Sequence, residues 1–259
     1  MEKIEISRTG RVSVLTIKTD EANRFDPDSF ALLDKLLAEE ATRDNVGALV
    51  LRSGVAGVFS QGLNLERLQG LTDAAAIERF LMTFFSILER VSLFPAPVVA
   101  EVGGHAMGYG AMLALASDYR LMVDTGARIG LPEIKIGIRV PVLVCRLLQD
   151  IVGYDRALKH VLDGSPWKSA AAHEIGLIDE LHEAPQLEKA ALKFAHRLAA
   201  APLAASRAIK KAMRYKLQQD MRSIVETDIA ETRMSIMTED AREGIAAAVA
   251  GRRPQFKEG

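Results

Sequence analysis

The chain has 259 residues, near the upper end for one domain and long enough to bury a substantial core. Hydrophobic residues make up 49% and charged residues 26%, and the formal charge of -1 argues against a nucleic-acid or anionic-membrane partner. The lone cysteine, Cys145, cannot close an intrachain disulfide, MEKIEISRTG lacks a basic-then-apolar leader pattern, and the longest uncharged run (between Glu101 and Asp118) is short and glycine-punctuated. A soluble, cytoplasmic protein without a membrane span is therefore expected.

The first half alternates strand and helix patterns. VSVLTI (12–17), GALVL (47–51), PVVAEV (97–102) and YRLMV (119–123) are short and rich in aliphatic or β-branched residues. Between the first two, Asp26 reads as an N-cap and Pro27 as the first helical residue, and Phe30, Leu33, Leu36 and Leu37 recur on one face. TDAAAIERFLMTFFSILERV repeats the pattern until Pro95 stops it. Strands alternating with helices predict an α/β core with parallel pairings.

Beyond residue 139 helical patterns dominate. KSAAAHEIGLIDEL predicts a short helix, a glycine C-cap at Gly176 and a strand. LEKAALKFAHRLAA, ASRAIKKAMRYKL and one long segment from Met221 to about Val249 follow as helices. The composition divides the chain into a core over 1–195 and a helical C-terminal region over 196–259. The basic run Arg207, Lys210, Lys211, Arg214 and Lys216 has helical spacing and is expected to form a solvated helix face.

Several chemistries are absent from the sequence. Gly103 and Gly108 begin a P-loop spacing, but Tyr109 and Gly110 stand where lysine and serine or threonine are required. No GxGxxG follows the first strand. The five histidines never form HExxH, one cysteine cannot build a cysteine-rich zinc site, and no metal ligand set is expected. Ser60 lacks the preceding glycine of a nucleophile elbow.

Three loops carry the remaining signal. GVFSQGLNL (57–65) and GGHAMGYGAML (103–113) each follow a strand, turn on glycines and open a helical pattern. Such loops can aim unpaired helix-start amides at a developing oxyanion, or simply permit tight turns. In the third, RIGLPEIKIG (128–137), Glu133 follows a proline amid isoleucine, leucine and glycine. It could be a surface charge, a salt-bridge partner of Lys135 or Arg128, or an active-site group.

Together and in this order, these segments resemble the crotonase superfamily of enoyl-CoA hydratases and isomerases. The resemblance runs from about Ile6 to Lys257 and includes the RRPQFKEG ending. It implies an α/β crotonase-like (ClpP/crotonase) spiral of β-β-α turns and a C-terminal helical trimerisation region. It also implies an acyl-CoA thioester substrate in fatty acid metabolism, with coenzyme A entering as part of the substrate and no separate cofactor. A homotrimer, or a hexamer built as a dimer of trimers, is the implied assembly.

By position, the resemblance makes Glu133 the catalytic acid/base and the Leu63 and Tyr109 amides the oxyanion-hole donors. It implies substrate-binding positions at Arg24, Gln61, Gly62, Asn64, Leu65, Gly110, Met112, Pro132, Arg139, Phe256 and Lys257. Family hydratases usually carry a second glutamate where this chain has Met112. One carboxylate suffices to move a double bond from position 3 to position 2, whereas hydration uses two well. The expected activity is therefore Δ3,Δ2-enoyl-CoA isomerisation. The alternatives are a 2-enoyl-CoA hydratase, another crotonase-type lyase or hydrolase, and a non-catalytic acyl-CoA-binding protein. Tyr109 replaces a common glycine, and its ring could narrow the acyl pocket, stack on substrate or turn away as packing. Arg139 could face solvent, bind a coenzyme A phosphate or pair with Glu133.

Overall fold

The computed structural model describes residues 3–70 and 73–257. Thr72, at the head of the second expected helix, and the last two residues of the C-terminal tail lie outside them. The chain begins with an antiparallel pair, β1 (Ile4–Thr9) and β2 (Val12–Ile17). The sequence reading missed β1 because it is an edge strand: only Ile4 is buried, so the segment is mostly polar. Helix α1 (Pro27–Ala41) starts as expected. The Asp26 carboxylate accepts from the Ser29 amide at 2.8 Å, and the Ser29 hydroxyl accepts from the Asp26 amide at 2.8 Å, a reciprocal cap.

From there the chain winds in β-β-α turns. Strand β3 (Ala48–Ser53) lies parallel to β2, and β4 (Gly57–Ser60) leaves the sheet before α2 (Leu65–Gln69) and α3 (Ala74–Ser92). Strand β5 (Val98–Val102) is followed by β6 (Gly104–Met107) and α4 (Tyr109–Ala116). Strand β7 (Tyr119–Val123) is followed by β8 (Arg128–Gly130), a 3-10 turn at Glu133–Ile136 and α5 (Val142–Val152). Then come α6 (Tyr154–Asp163), β9 (Trp167–Lys168), α7 (Ser169–Glu174), β10 (Glu180–His182) and α8 (Ala184–Ala199). Helices α9 (Leu203–Met213), α10 (Tyr215–Ile236) and α11 (Glu239–Val249) complete the fold.

Two sheets result. One has the order β1-β2-β3-β5-β7-β10, parallel apart from the first pair; the other has the order β4-β6-β8-β9. The first strand of each turn joins the large sheet and the second joins the small one. The ends of β4, β6 and β8 therefore lie side by side, and the three loops singled out above leave from those ends. The fold is the expected α/β crotonase-like spiral. The core runs through the buried aliphatic residues of β2, β3, β5 and β7 and the inward faces of α1, α3 and α4. Helix α4 is buried on every side, so it carries no polar face.

Two expectations are corrected. The long helix expected from Met221 to Val249 is two helices, because Thr238 accepts from the Ala241 amide at 3.1 Å and starts α11 afresh. The basic run is not a solvated face throughout. Lys210 lies 2.5 Å and Arg214 3.2 Å from the Asp118 carboxylate, and Arg207 donates to the carbonyls of Arg43, Asp44 and Val46. These three residues fasten α9 to the ends of the large sheet, while Lys211 and Lys216 remain outward. The sequence-derived boundary at 195/196 falls inside α8, whose buried residues Leu187, Ala191, Ala195 and Ala199 continue across it.

Candidate active site

The first loop is built on Asn23. Its backbone is left-handed (φ 52°), and its buried side-chain amide donates to the carbonyls of Ile17 and Phe59 at 3.0 and 2.8 Å. This ties the end of β2 to the end of β4. The Phe25 amide then donates to the Gly62 carbonyl at 2.8 Å, and the Asn64 amide donates to the Phe25 carbonyl at 2.7 Å. Gly62 needs its glycine: φ is +89°, and a β-carbon there would lie 3.1 Å from the Met107 carbonyl oxygen and 3.3 Å from the Tyr109 nitrogen. The Gly62 amide donates to the Ser60 hydroxyl at 3.0 Å. Asn64 caps α2 by accepting from the Arg67 amide at 3.2 Å.

The second loop is held against the first and the third. Gly108 donates its amide to the Gly130 carbonyl at 3.0 Å, and a β-carbon on Gly108 would lie 3.3 Å from Oε1 of Glu133. A β-carbon on Gly110 would run into the Ser60 backbone, so only glycine lets α4 begin this close to β4. The structure thus brings Gly62, the start of α4 and Glu133 into one place. Neither the Leu63 amide nor the Tyr109 amide donates to another group among the described residues. Both stand where the chain turns toward a helix.

The Tyr109 side chain turns away into the core. It is fully buried, with Phe25, Phe30 and Phe84 packed around its ring at centroid distances of 4.5–5.3 Å, and its hydroxyl donates to the Phe84 carbonyl at 3.0 Å. Met112 lies one turn further along the same face of α4, buried, its amide bonded to the Gly108 carbonyl at 2.9 Å.

Glu133 is buried on the 3-10 turn, with neither Lys135 nor Arg128 paired to it, and its Oε2 has no hydrogen-bond partner among the described residues. Burial pushes its carboxyl up to about 7. Arg139 pairs instead with the fully buried Asp228 of α10 at 3.1 Å. Asp228 also accepts from the Val142 and Leu143 amides at 2.7 and 2.9 Å, capping α5 from a distance in the absence of a local side-chain cap. Even so, burial holds the Asp228 carboxyl above its ordinary range. The other predicted positions are more dispersed. Arg24 pairs with Asp20 at 2.9 Å, and Gln61 is exposed. Leu65 opens α2, and Pro132 precedes the 3-10 turn. Phe256 is exposed, and Lys257 pairs with Glu239 at 2.5 Å. That pairing holds the tail beside α11, which packs on the 3-10 turn through Gly244 against Ile136.

Sequence reasoning did not reach Asn23, Asp228 or His160, whose Nε2 accepts from the Leu131 amide at 3.3 Å. The partners of Asp228 and His160 lie tens of residues away, so no local spacing marks either residue. Among the described residues no group of three or more metal-binding side chains gathers, and no helix is long and apolar enough to cross a membrane.

Comparison with known proteins gives this arrangement its class. Residues 8–259 match the family "Enoyl-CoA hydratase/isomerase". The chain is 30% identical over 262 residues to the 2,3-dehydroadipyl-CoA hydratase of Escherichia coli (strain K12), covering 99% of each. It is 29% identical over 257 residues to a probable enoyl-CoA hydratase of Rhizobium meliloti (strain 1021), covering 99% of this chain and 98% of the other. Human mitochondrial delta3-delta2-enoyl-CoA isomerase shares the fold, with a TM-score of 0.87 at 21% identity over 96% of this chain and 98% of that one. The chain belongs to the enoyl-CoA hydratase/isomerase family of acyl-CoA enzymes.

Proposed function

We propose that the protein moves the double bond of a 3-enoyl-CoA to position 2, with Glu133 as the only acid/base. The observation that carries this reading is a buried Glu133, its Oε2 without a partner among the described residues, lying close to Gly108 at the start of α4, a helix on which the chain has the buried, apolar Met112 and no carboxylate. In this reading the Glu133 carboxylate takes a proton from C2. The C2–H electrons form a C1=C2 bond as the carbonyl pair moves onto the thioester oxygen, giving a dienolate that retains C3=C4 and whose oxyanion is held by the Leu63 and Tyr109 amides. Glu133 returns the proton to C4, leaving the 2-enoyl thioester. A carboxyl near 7 suits both halves of the exchange at neutral pH. Gly62, Asn64, Leu65 and Gly110 would shape the pocket around the thioester.

Hydration of a 2-enoyl-CoA is the second reading, and the names of the curated relatives favour it. It requires a group other than residue 112 to direct the water. Incubation with 3-enoyl-CoA and 2-enoyl-CoA in parallel, with product identification, separates the two. The exposed apolar residues Tyr154, Leu158 and Leu162 recur on one face of α6, and Ile209, Met213 and Tyr215 lie exposed on α9 and the start of α10. They support assembly as a trimer or a dimer of trimers, with the C-terminal helices contributing to contacts between copies.

A further inference from the structure

We infer that His160 is a positioning residue for Glu133, holding the 3-10 turn and the Gly108 loop in register through the Leu131 amide. The inference rests on the role proposed above for Glu133. His160 projects from α6 and is buried; its Nε2 accepts from Leu131, two residues before Glu133. One residue earlier, the Gly130 carbonyl receives the Gly108 amide. The same short stretch of backbone therefore reaches both the carboxylate and the loop that presents the Tyr109 amide.

The imidazole is itself fixed. It stacks on Trp167 with centroids 3.6 Å apart and planes 11° from parallel, and Trp167 is paired with Ile129 of β8. The segment after His160 grips the turn from the same side. A β-carbon on Gly164 would press on Ile134, and the Lys135 ammonium donates to the Ser165 hydroxyl at 3.2 Å. Acceptance from Leu131 requires an unprotonated Nε2, which assigns the proton of the neutral ring to Nδ1. Burial first, with Lys135 adding to it against Asp163, lowers the imidazole to about 4. The ring is neutral throughout the range in which Glu133 titrates.

A ring that only filled space would be replaceable by methionine; a ring that holds the turn needs its acceptor. The test compares the whole protein with His160→Met, which leaves only a weak thioether acceptor, and His160→Gln, whose amide oxygen supplies a strong one. The Glu133 carboxyl is titrated by its ¹³C resonance, assigned with Glu133→Gln. His160→Met is expected to lower the Glu133 pKa by about one unit, because a loosened turn admits water to the carboxylate. His160→Gln is expected to leave it within a few tenths. An unchanged value in His160→Met, or an equal fall in both variants, would overturn the inference. If His160→Met does not fold, Trp167→Leu, which unseats the ring, is read by the same criterion. On 3-enoyl-CoA, His160→Met should lose about tenfold to a hundredfold in kcat with KM within about threefold. Loss confined to KM would also overturn the inference. Absence of turnover in the unsubstituted protein would instead count against the isomerase reading, while the titration still decides the role of His160.

Discussion

Glu133 combines burial, an oxygen without a partner and a carboxyl raised to about 7, and each has a measurable consequence. In the proposed role as base it must be ionised, so kcat/KM should rise tenfold per pH unit below about 7 and level above it. The stability consequence has the opposite sense. A carboxyl whose folded pKa exceeds its unfolded value of about 4.5 favours the folded state least when ionised, so stability falls as pH climbs from about 4.5 through 7. Glu133→Gln should therefore abolish turnover yet gain roughly 2–3 kcal/mol in urea unfolding at pH 8. Glu101 is a useful contrast. It too is buried and raised to about 7 by desolvation, but its charged neighbours are Arg52 on β3 and Glu188 on α8. Glu101→Gln should stabilise similarly at pH 8 while turnover stays within about twofold. Glu133 was legible in the sequence because a carboxylate in an apolar run stands out. The meaning of Met112 came only through the family resemblance, since a methionine in an apolar helix otherwise reads as core. The sequence alone does not decide between the roles of Tyr109 and Arg139; the packing of the tyrosine ring among phenylalanines and the pairing of Arg139 with Asp228 do.

At the scale of elements, the candidate site is three strand ends brought together, with glycines at the points of closest approach. Gly62→Ala would place a methyl group 3.3 Å from the Tyr109 nitrogen in a backbone conformation that alanine resists. Turnover should fall by about a hundredfold, the loss typical of one misplaced oxyanion donor, with a smaller effect on KM. Gly110→Val should do more, because its side chain meets the Ser60 backbone; lower folded yield and a lower Tm are expected with the lost activity. Most of these elements were readable from period and capping. The Asp26 and Pro27 start of α1 lies where its residues put it. The failures have physical causes: β1 hides because an edge strand needs few apolar residues, and the α10–α11 break hides because no glycine or proline marks it, only the Thr238 cap. The basic run misled because helical spacing shows that residues share a face, while the partner of that face, Asp118, is about ninety residues earlier.

Across the whole molecule, the C-terminal helices are tied to the site rather than appended to it. Asp228 on α10 caps α5 and holds Arg139, and α11 lies on the turn that carries Glu133. Asp228→Ala should cost roughly 2–4 kcal/mol and lower the Tm by several degrees, because two helix-start amides and a guanidinium lose their acceptor. Asp228→Asn, which keeps an acceptor for the amides, should recover much of that loss. The mass in solution should be a multiple of the 28.2 kDa chain, and polar substitution of Leu158 and Leu162 on α6 should lower it if that face meets another copy. Such connections between distant segments are what a sequence read locally does not display.

The most direct measurement presents 3-enoyl-CoA and 2-enoyl-CoA separately to the protein and to Glu133→Gln, and identifies the products. One-carboxylate isomerisation predicts conversion of the 3-enoyl to the 2-enoyl thioester, little 3-hydroxyacyl product from either substrate, and loss of conversion in the variant. Rapid hydration of the 2-enoyl-CoA, or isomerisation that survives Glu133→Gln, would contradict it.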